Sequence, residues 1–472
     1  MVFSSLEFIL RFLPVFFLIY FLIPQRSVNL KNAALLLGSL VFYAFGEPLY
    51  VFLMLFSILA NYGLSLLIGP DRAKALPEGP RGAVFALTVI LNLGLLFVFK
   101  YADFFITNIN HILPEGAGLK LLGLSLPIGI SFYTFQILSY VTDVYMGRYP
   151  AEKSPLIVGT YIAMFPQLIA GPIVRYPEVS GHLKGRRVTA EDFDEGIRYF
   201  ILGLAAKVII ANHIGILWNQ VEMIGFESVP TLLAWLGVLA YAFEIYYDFL
   251  GYSLMAIGLG RLLGFKLPAN FNNPYRSGSV TEFWQRWHIT LGRWFKEYVY
   301  IPLGGNRKGK ARLILNLLIV WGLTGLWHGA SWNYLFWGLG YFVILAIEKL
   351  FLKKYLDRLH VLNHLYMWFL VLLSWPVFAI ENLTDLGAFF SRLFPFSGDW
   401  YPVGDAAMVL TYLKQYAPFF ALGFIFCIQP VIDAVYKLQK KKWSVIVMLP
   451  LFLLCLYFLA RGLNNPFMYF RF

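Results

Sequence analysis

A histidine at membrane depth is the first chemical signal in this sequence. Residues 316–348, NLLIVWGLTGLWHGASWNYLFWGLGYFVILAIE, hold no acid or base except His328 and the terminal Glu348. The run exceeds the ~20 apolar residues of one bilayer crossing. Gly325, Gly329, Ala330 and Ser331 interrupt it where the histidine sits, which predicts two helices with His328 near their junction. An ionisable group at such depth is costly, so it marks a functional site or a histidine buried for packing. In apolar surroundings an imidazole is expected to be neutral, and a neutral imidazole can take a proton from an alcohol, the general-base step of acyl transfer. Trp327, Ser331 and Asn333 flank it and could orient the ring or an acceptor; helix packing is the other role open to them.

A second histidine lies in 281–303, TEFWQRWHITLGRWFKEYVYIPL. His288 is flanked by Arg286 and Arg293, with Trp284, Trp287, Trp294 and Phe295 around it. Arginine forks bind phosphates, and aromatics can line an adjoining apolar tunnel. An interfacial amphipathic helix is the competing reading. Arg286, Arg293, Lys296 and Glu297 cannot face lipid, so the segment is expected at the interface or dipping inward behind protein. Glu244 and Asp248, within YAFEIYYDFLGYS (241–253), are four residues apart and share a helix face. They are expected to line a polar cavity or to pair with a base, as relay groups or in a structural pairing with an arginine or with Asn270 or Asn272. The sequence closes on NNPFMYFRF, an apolar tail expected to fold back into the protein or to meet a partner. Tyr469 offers a hydroxyl there as an acyl acceptor, or an aromatic anchor.

The elements that must position these residues are membrane helices. Hydrophobic residues make up 59% of the 472 and charged residues 14%, against about 25% charged in a soluble domain. The expected fold is all-α and polytopic, with about 11 or 12 spans plus re-entrant or interfacial helices. The spans fall near 6–24, 33–46, 49–68, 83–100, 121–146, 196–219, 231–258, 313–327, 331–352, 361–380, 412–436 and 443–461. Residues 155–174, with Pro166, Gly171 and Pro172, read as a broken helix. The whole chain reads as one membrane-embedded domain: N-terminal helices in 1–120, a core in 121–352, and C-terminal helices with the tail in 353–472. The first apolar run, Phe8 to Ile23, reads as a retained span and not a removed signal peptide.

The net charge of +12 is not a nucleic-acid footprint. Its bases sit in short loops: Arg26 and Lys31, Arg72 and Lys74, Lys184 to Arg187, Arg307 to Arg312, Lys353 and Lys354, Lys440 to Lys442. Glu47, Asp103, Glu222, Glu381 and Asp405 collect in the alternate loops, which predicts a cytoplasmic basic side, facing anionic lipid headgroups, and both termini outside. Cys427 and Cys455 show neither metal-ligand spacing nor a disulfide framework. No internal repeat is visible, which weighs against transporters built from inverted halves.

FWQRWHITLGRWFKEYVYIPLGGNR (283–307) together with LTGLWHGASWN (323–333) resembles the membrane-bound O-acyltransferase family, and most nearly its alginate O-acetylation branch. LPIGISFYTFQILSYVTDVY (126–145), FPQLIAGPIVRY (165–176), YDFLGYSLMAIGLGRLLGF (247–265) and NFNNPYRS (270–277) look like the same branch. The resemblance is strong over 120–350 and departs at Leu250 and Leu254, where a small residue and an acid are expected. It implies that His328 is the essential histidine and His288 a second, more branch-dependent one. It also implies an outer funnel that meets a cytoplasmic tunnel near His328. The implied donor is a thioester, acetyl-CoA, with no bound cofactor or metal. The implied acceptor lies outside, with an extracytoplasmic SGNH-type transferase completing polysaccharide acetylation in the cell envelope of a bacterium. Arg286, Trp287, Arg293, Trp327, Ser331, Asn333, Asp248, Asn272 and Tyr469 are the candidates for substrate contact. A sister branch moving D-alanine onto teichoic acids shares the histidine segments. A transporter or export channel lined by Glu244 and Asp248, and a non-catalytic scaffold, are the competing classes.

Overall fold

The computed structural model describes residues 1–69, 77–114, 116–394, 406–463 and 467–468. Helices are the regular secondary structure of the described residues, with no strand among them. Among these residues seven helices are long and apolar enough to cross a membrane: Tyr50–Ile68, Gly79–Asn110, Ala190–Ile224, Thr231–Leu262, Gly309–His328, Trp332–Leu356 and Leu362–Ala379. Ala407–Ile425 and Gln429–Leu438 make an eighth if the pair, bent by 81°, is taken as one span. Phe8–Leu22, Val28–Ala44 and Val445–Ala460 are shorter apolar helices. Against the twelve spans expected, the described residues thus give seven helices, or eight with the bent pair, that are long and apolar enough to cross, and three that are apolar but shorter.

Two departures have local causes. The span expected at 121–146 is helical only from Ile130. Ahead of it, Gly123 and Gly129 take positive φ, and the amides of Leu122 and Gly123 donate to the Asp103 carboxylate at 2.7 and 2.9 Å. Pro127 has no N–H to give a helix. The span expected at 412–436 breaks around Ile428, whose ψ of 116° is extended, and Pro430 opens the next helix.

The chain divides into two compact units: residues 1–200 with 255–268, and residues 201–254 with 269–472. In the first, the expected broken helix is present. Pro155–Ala163 stops at Met164, and Phe165–Leu168 restarts with Pro166 in its first turn. The freed amide of Phe165 donates to Ser39 Oγ. Lys31 and Arg186, counted above among loop cations, are instead buried. Arg186 donates to Tyr20 Oη, the Leu263 carbonyl and Asn32 Oδ1, and Lys31 donates to the Tyr20 carbonyl. Hydrogen bonds to neighbouring backbone and rings take the place of water for both cations.

In the second unit, Gly309–His328 and Trp332–Ile347 form a tight antiparallel pair. Gly338 lies against the Trp321 carbonyl and Gly325 against the Tyr334 carbonyl, so a Cβ at either would collide with backbone. Small residues at such crossings let membrane helices approach closely. The 281–303 segment is two short helices, Val280–Arg286 and Ile289–Phe295, the second continued by a wide π-type turn over Lys296–Tyr300. Neither is long enough to span a bilayer.

Candidate active site

His328 is the last residue of its helix, because Gly329 turns extended at φ −166° and ψ 159°. Its ring is buried, edge-on to three aromatic rings: Trp327 at 5.0 Å, Trp337 at 5.1 Å and Phe378 at 5.1 Å between centroids. Phe378 is held there from the next helix, since Asn333 Nδ2 donates to the carbonyls of Val377 and Phe378 at 3.2 and 3.1 Å. Asn333 thus positions one wall of the histidine chamber. Ser331 precedes Trp332–Ile347 at the capping position, half-buried, without a side-chain capping bond.

His288 sits at the break between the two short helices with φ 44° and ψ 53°, a left-handed conformation that non-glycine residues rarely adopt. The backbone is held there from 270–272: Ile289 N–H donates to the Asn270 carbonyl and Asn272 N–H to the Arg286 carbonyl, each at 2.9 Å. The side chain is held by the same residue. Asn270 Oδ1 accepts from Thr290 Oγ1 at 2.9 Å and lies 3.0 Å from His288 Nδ1. An oxygen there requires Nδ1 to carry the hydrogen, so Nε2 is the lone-pair nitrogen. Full burial pushes the His288 pKa down to about 3, which keeps the ring neutral. The Phe249 ring meets it at 4.8 Å and 88°.

The Trp327 indole touches both imidazoles, at 5.9 Å from His288 and 5.0 Å from His328. The two histidines, distant in sequence, therefore share one aromatic chamber. Helix Val280–Arg286 aims the second histidine into it, and Glu348 fixes that helix. This fully buried carboxylate accepts from the amides of Val280 and Thr281 at 2.8 and 2.7 Å, at the helix end where backbone donors lack partners.

The remaining candidates divide. Trp287 is buried among Phe271, Phe283 and Trp375, at 5.2, 5.5 and 5.1 Å. Arg286 gives Nε to Glu282 and Nη1 to the Asn272 carbonyl, which anchors the turn before His288. Arg293 is half-buried. Asn272 lines a cavity of about 380 Å³ together with Tyr246, Leu250, Leu254, Phe271 and Gln429. Phe271 also packs on Phe249 at 5.0 Å, so one ring separates this cavity from the ring that touches His288. Asp248 does pair with a base, though among the described residues neither with an arginine nor with Asn270 or Asn272. Its partner is Lys207 at 2.6 Å, and its other oxygen accepts the Met468 amide at 2.8 Å. The tail does fold back: Phe467 and Met468 are buried. Tyr469 lies outside the described residues. Sequence reasoning missed Asn270 as the histidine's holder, and Lys207 and Glu348 altogether. A carboxylate closing an otherwise apolar run was the one signal available for Glu348.

Residues 150–356, which contain both histidines, match the family described as MBOAT, membrane-bound O-acyltransferase family. The chain is 40% identical over 406 residues to the probable alginate O-acetylase AlgI of Pseudomonas syringae pv. tomato, covering 85% of this chain and 76% of that one. It is 35% identical over 419 residues to the peptidoglycan O-acetyltransferase of Helicobacter pylori, covering 81% and 78%. With the teichoic acid D-alanyltransferase of Bacillus subtilis the identity is 29% over 288 residues, covering 58% and 69%. This multi-pass membrane protein is an O-acyltransferase and belongs to the membrane-bound O-acyltransferase family.

Proposed function

We propose that the chain transfers an acetyl group from cytoplasmic acetyl-CoA to a hydroxyl outside the cytoplasmic membrane, for O-acetylation of an alginate-like exopolysaccharide. His328 takes the proton of the acceptor hydroxyl as its oxygen attacks the thioester carbonyl carbon. The tetrahedral intermediate then expels the thiolate, which takes up a proton, and the acetyl ester remains on the acceptor oxygen. His288 assists through Nε2, the nitrogen left with a lone pair when Nδ1 donates to Asn270. The cavity beside Phe271 is the donor's approach. The basic loops face the cytoplasm and both termini lie outside, where an SGNH-type transferase completes delivery to the polymer and Tyr469 serves as a relay hydroxyl.

The observation that carries this reading is the single indole, Trp327, against both imidazole rings. D-alanyl transfer is the weaker reading, because the relatives named for it match less of this chain at lower identity than those named for O-acetylation. The test is acyl transfer by purified protein supplied with labelled acetyl-CoA, and acetylation of surface polymer in cells. His328→Ala should abolish both at unchanged protein level, and His288→Ala should impair them less. Full activity of His328→Ala would overturn the assignment.

A further inference from the structure

We propose that Asp248, its charge matched by the buried Lys207, is a latch whose second carboxylate oxygen seats the C-terminal segment against the wall of the histidine chamber and so holds His288 in place. The inference rests on the reading of His288 and His328 as the acyl-transfer site.

Both partners lie inside apolar helices, Lys207 in Ala190–Ile224 and Asp248 in Thr231–Leu262, and their side chains are 3% and 1% exposed. Charges at such positions persist only when each oxygen and proton is used. Lys207 Nζ pairs with Asp248 Oδ1 at 2.6 Å, and the Met468 amide donates to Oδ2 at 2.8 Å. The tail amide therefore completes the solvation of a buried carboxylate, and undocking the tail would strip one oxygen of its donor. Lys207 reaches the aspartate from a π-type turn, Ala206–Ala211, a wide turn frequent at functional positions. Gly251, one turn along from Asp248, permits the approach: a Cβ there would come 2.6 Å from the Gly203 carbonyl oxygen and 3.0 Å from the Lys207 nitrogen.

The docked segment touches the chamber wall. Asn212 Nδ2 donates to the Leu463 carbonyl at 2.7 Å, and Phe467 stacks on Tyr252 at 4.6 Å. Phe467 also lies 6.0 Å from Phe249, the residue after Asp248, whose ring meets His288. Latch, tail and histidine thus form one run of contacts: Asp248 and Met468, then Phe467, Phe249 and His288. Lys207 and Asp248 are positioning residues in this account, and neither touches substrate.

Seating of the tail can be read without any activity. In a Cys427→Ala/Cys455→Ala background, Phe467→Cys should react slowly with a maleimide. Adding Lys207→Met with Asp248→Leu, which removes the pair without leaving a lone charge, should speed labelling by roughly tenfold or more. Lys207→Met with Asp248→Asn keeps an oxygen for the Met468 amide and should restore slow labelling. With Phe467 intact, the Met/Leu variant should lower kcat by about tenfold to a hundredfold at unchanged KM for the thioester, and the Met/Asn variant should recover most of it. Phe467→Ala keeps the ion pair and Tyr469 in the chain and should lower kcat to a similar extent. Combining it with the Met/Leu variant should add little further. Unchanged labelling in the Met/Leu variant, or parental kcat in Phe467→Ala, would overturn the latch. Retained activity in His328→Ala would overturn the site while leaving the labelling result standing.

Discussion

Asn270 determines what His288 can do, because one oxygen fixes both the ring's orientation and its tautomer. Asn270→Leu keeps the volume and removes the acceptor; kcat should fall by roughly a hundredfold, the lower range for loss of a positioned acid–base group. Asn270→Asp, which keeps an acceptor oxygen, should retain more activity than the leucine variant in the same acyl-transfer assay. His288 also carries a pH signature. The unfolded chain binds its proton near 6.5, whereas the folded chain resists protonation down to about 3. Between those values the unfolded state holds more protons, so this residue subtracts stability as pH falls through the window and subtracts none above it. A ¹⁵N-histidine spectrum of the folded protein at pH 5 should still show His288 neutral with hydrogen on Nδ1. Both histidines were legible because an ionisable group inside an apolar or aromatic run stands out. Asn270 was not, since the value of a carboxamide depends on what the fold sets opposite it. Lys207 drew no reading, although it lies in the middle of the span expected at 196–219, because its carboxylate lies on another helix.

At the scale of elements, the chamber depends on two devices that hold short or interrupted helices in place. The first is the glycine crossing between Gly309–His328 and Trp332–Ile347, where Gly325 and Gly338 meet facing carbonyls. Gly338→Leu would have to force the helices apart at a cost of about 1–3 kcal/mol by overpacking. It should lower the unfolding temperature and displace His328 from Trp337, seen as lost acyl transfer at normal thioester binding. The second is Glu348, whose carboxylate accepts the first amides of Val280–Arg286. Glu348→Ala leaves those buried donors without an acceptor, about 1–3 kcal/mol. Activity should fall further than in Glu348→Gln, which retains one oxygen. The break at His288 was half legible. Its charge density excluded a lipid-facing span, yet nothing local in TEFWQRWHITL announces a left-handed histidine. That conformation is imposed by the backbone bonds from Asn270 and Asn272. The broken helix at 155–174 was legible because proline and glycine act locally.

For the whole molecule, charge is the level at which sequence says most and needs most correction. The alternation of basic and acidic loops predicts an orientation by the positive-inside rule, which counts cations in short loops near span ends. Lys31 and Arg186 do not belong in that count, because both are buried and bonded to protein groups. Removing them leaves the asymmetry intact: Arg187 and Lys440 are exposed in basic loops, and Glu381 is exposed on the opposite side of Leu362–Ala379 from Arg358. The proposed reaction requires this orientation, since a cytosolic thioester and an external alcohol must reach the histidines from opposite faces. Single cysteines placed in a Cys427→Ala/Cys455→Ala background test it. Arg187→Cys and Lys440→Cys should resist a membrane-impermeant maleimide in intact cells and react fully after permeabilisation. Glu381→Cys should react in both. Labelling of positions 187 and 440 from outside would reverse the chain in the membrane and, with it, the direction assigned to acyl transfer.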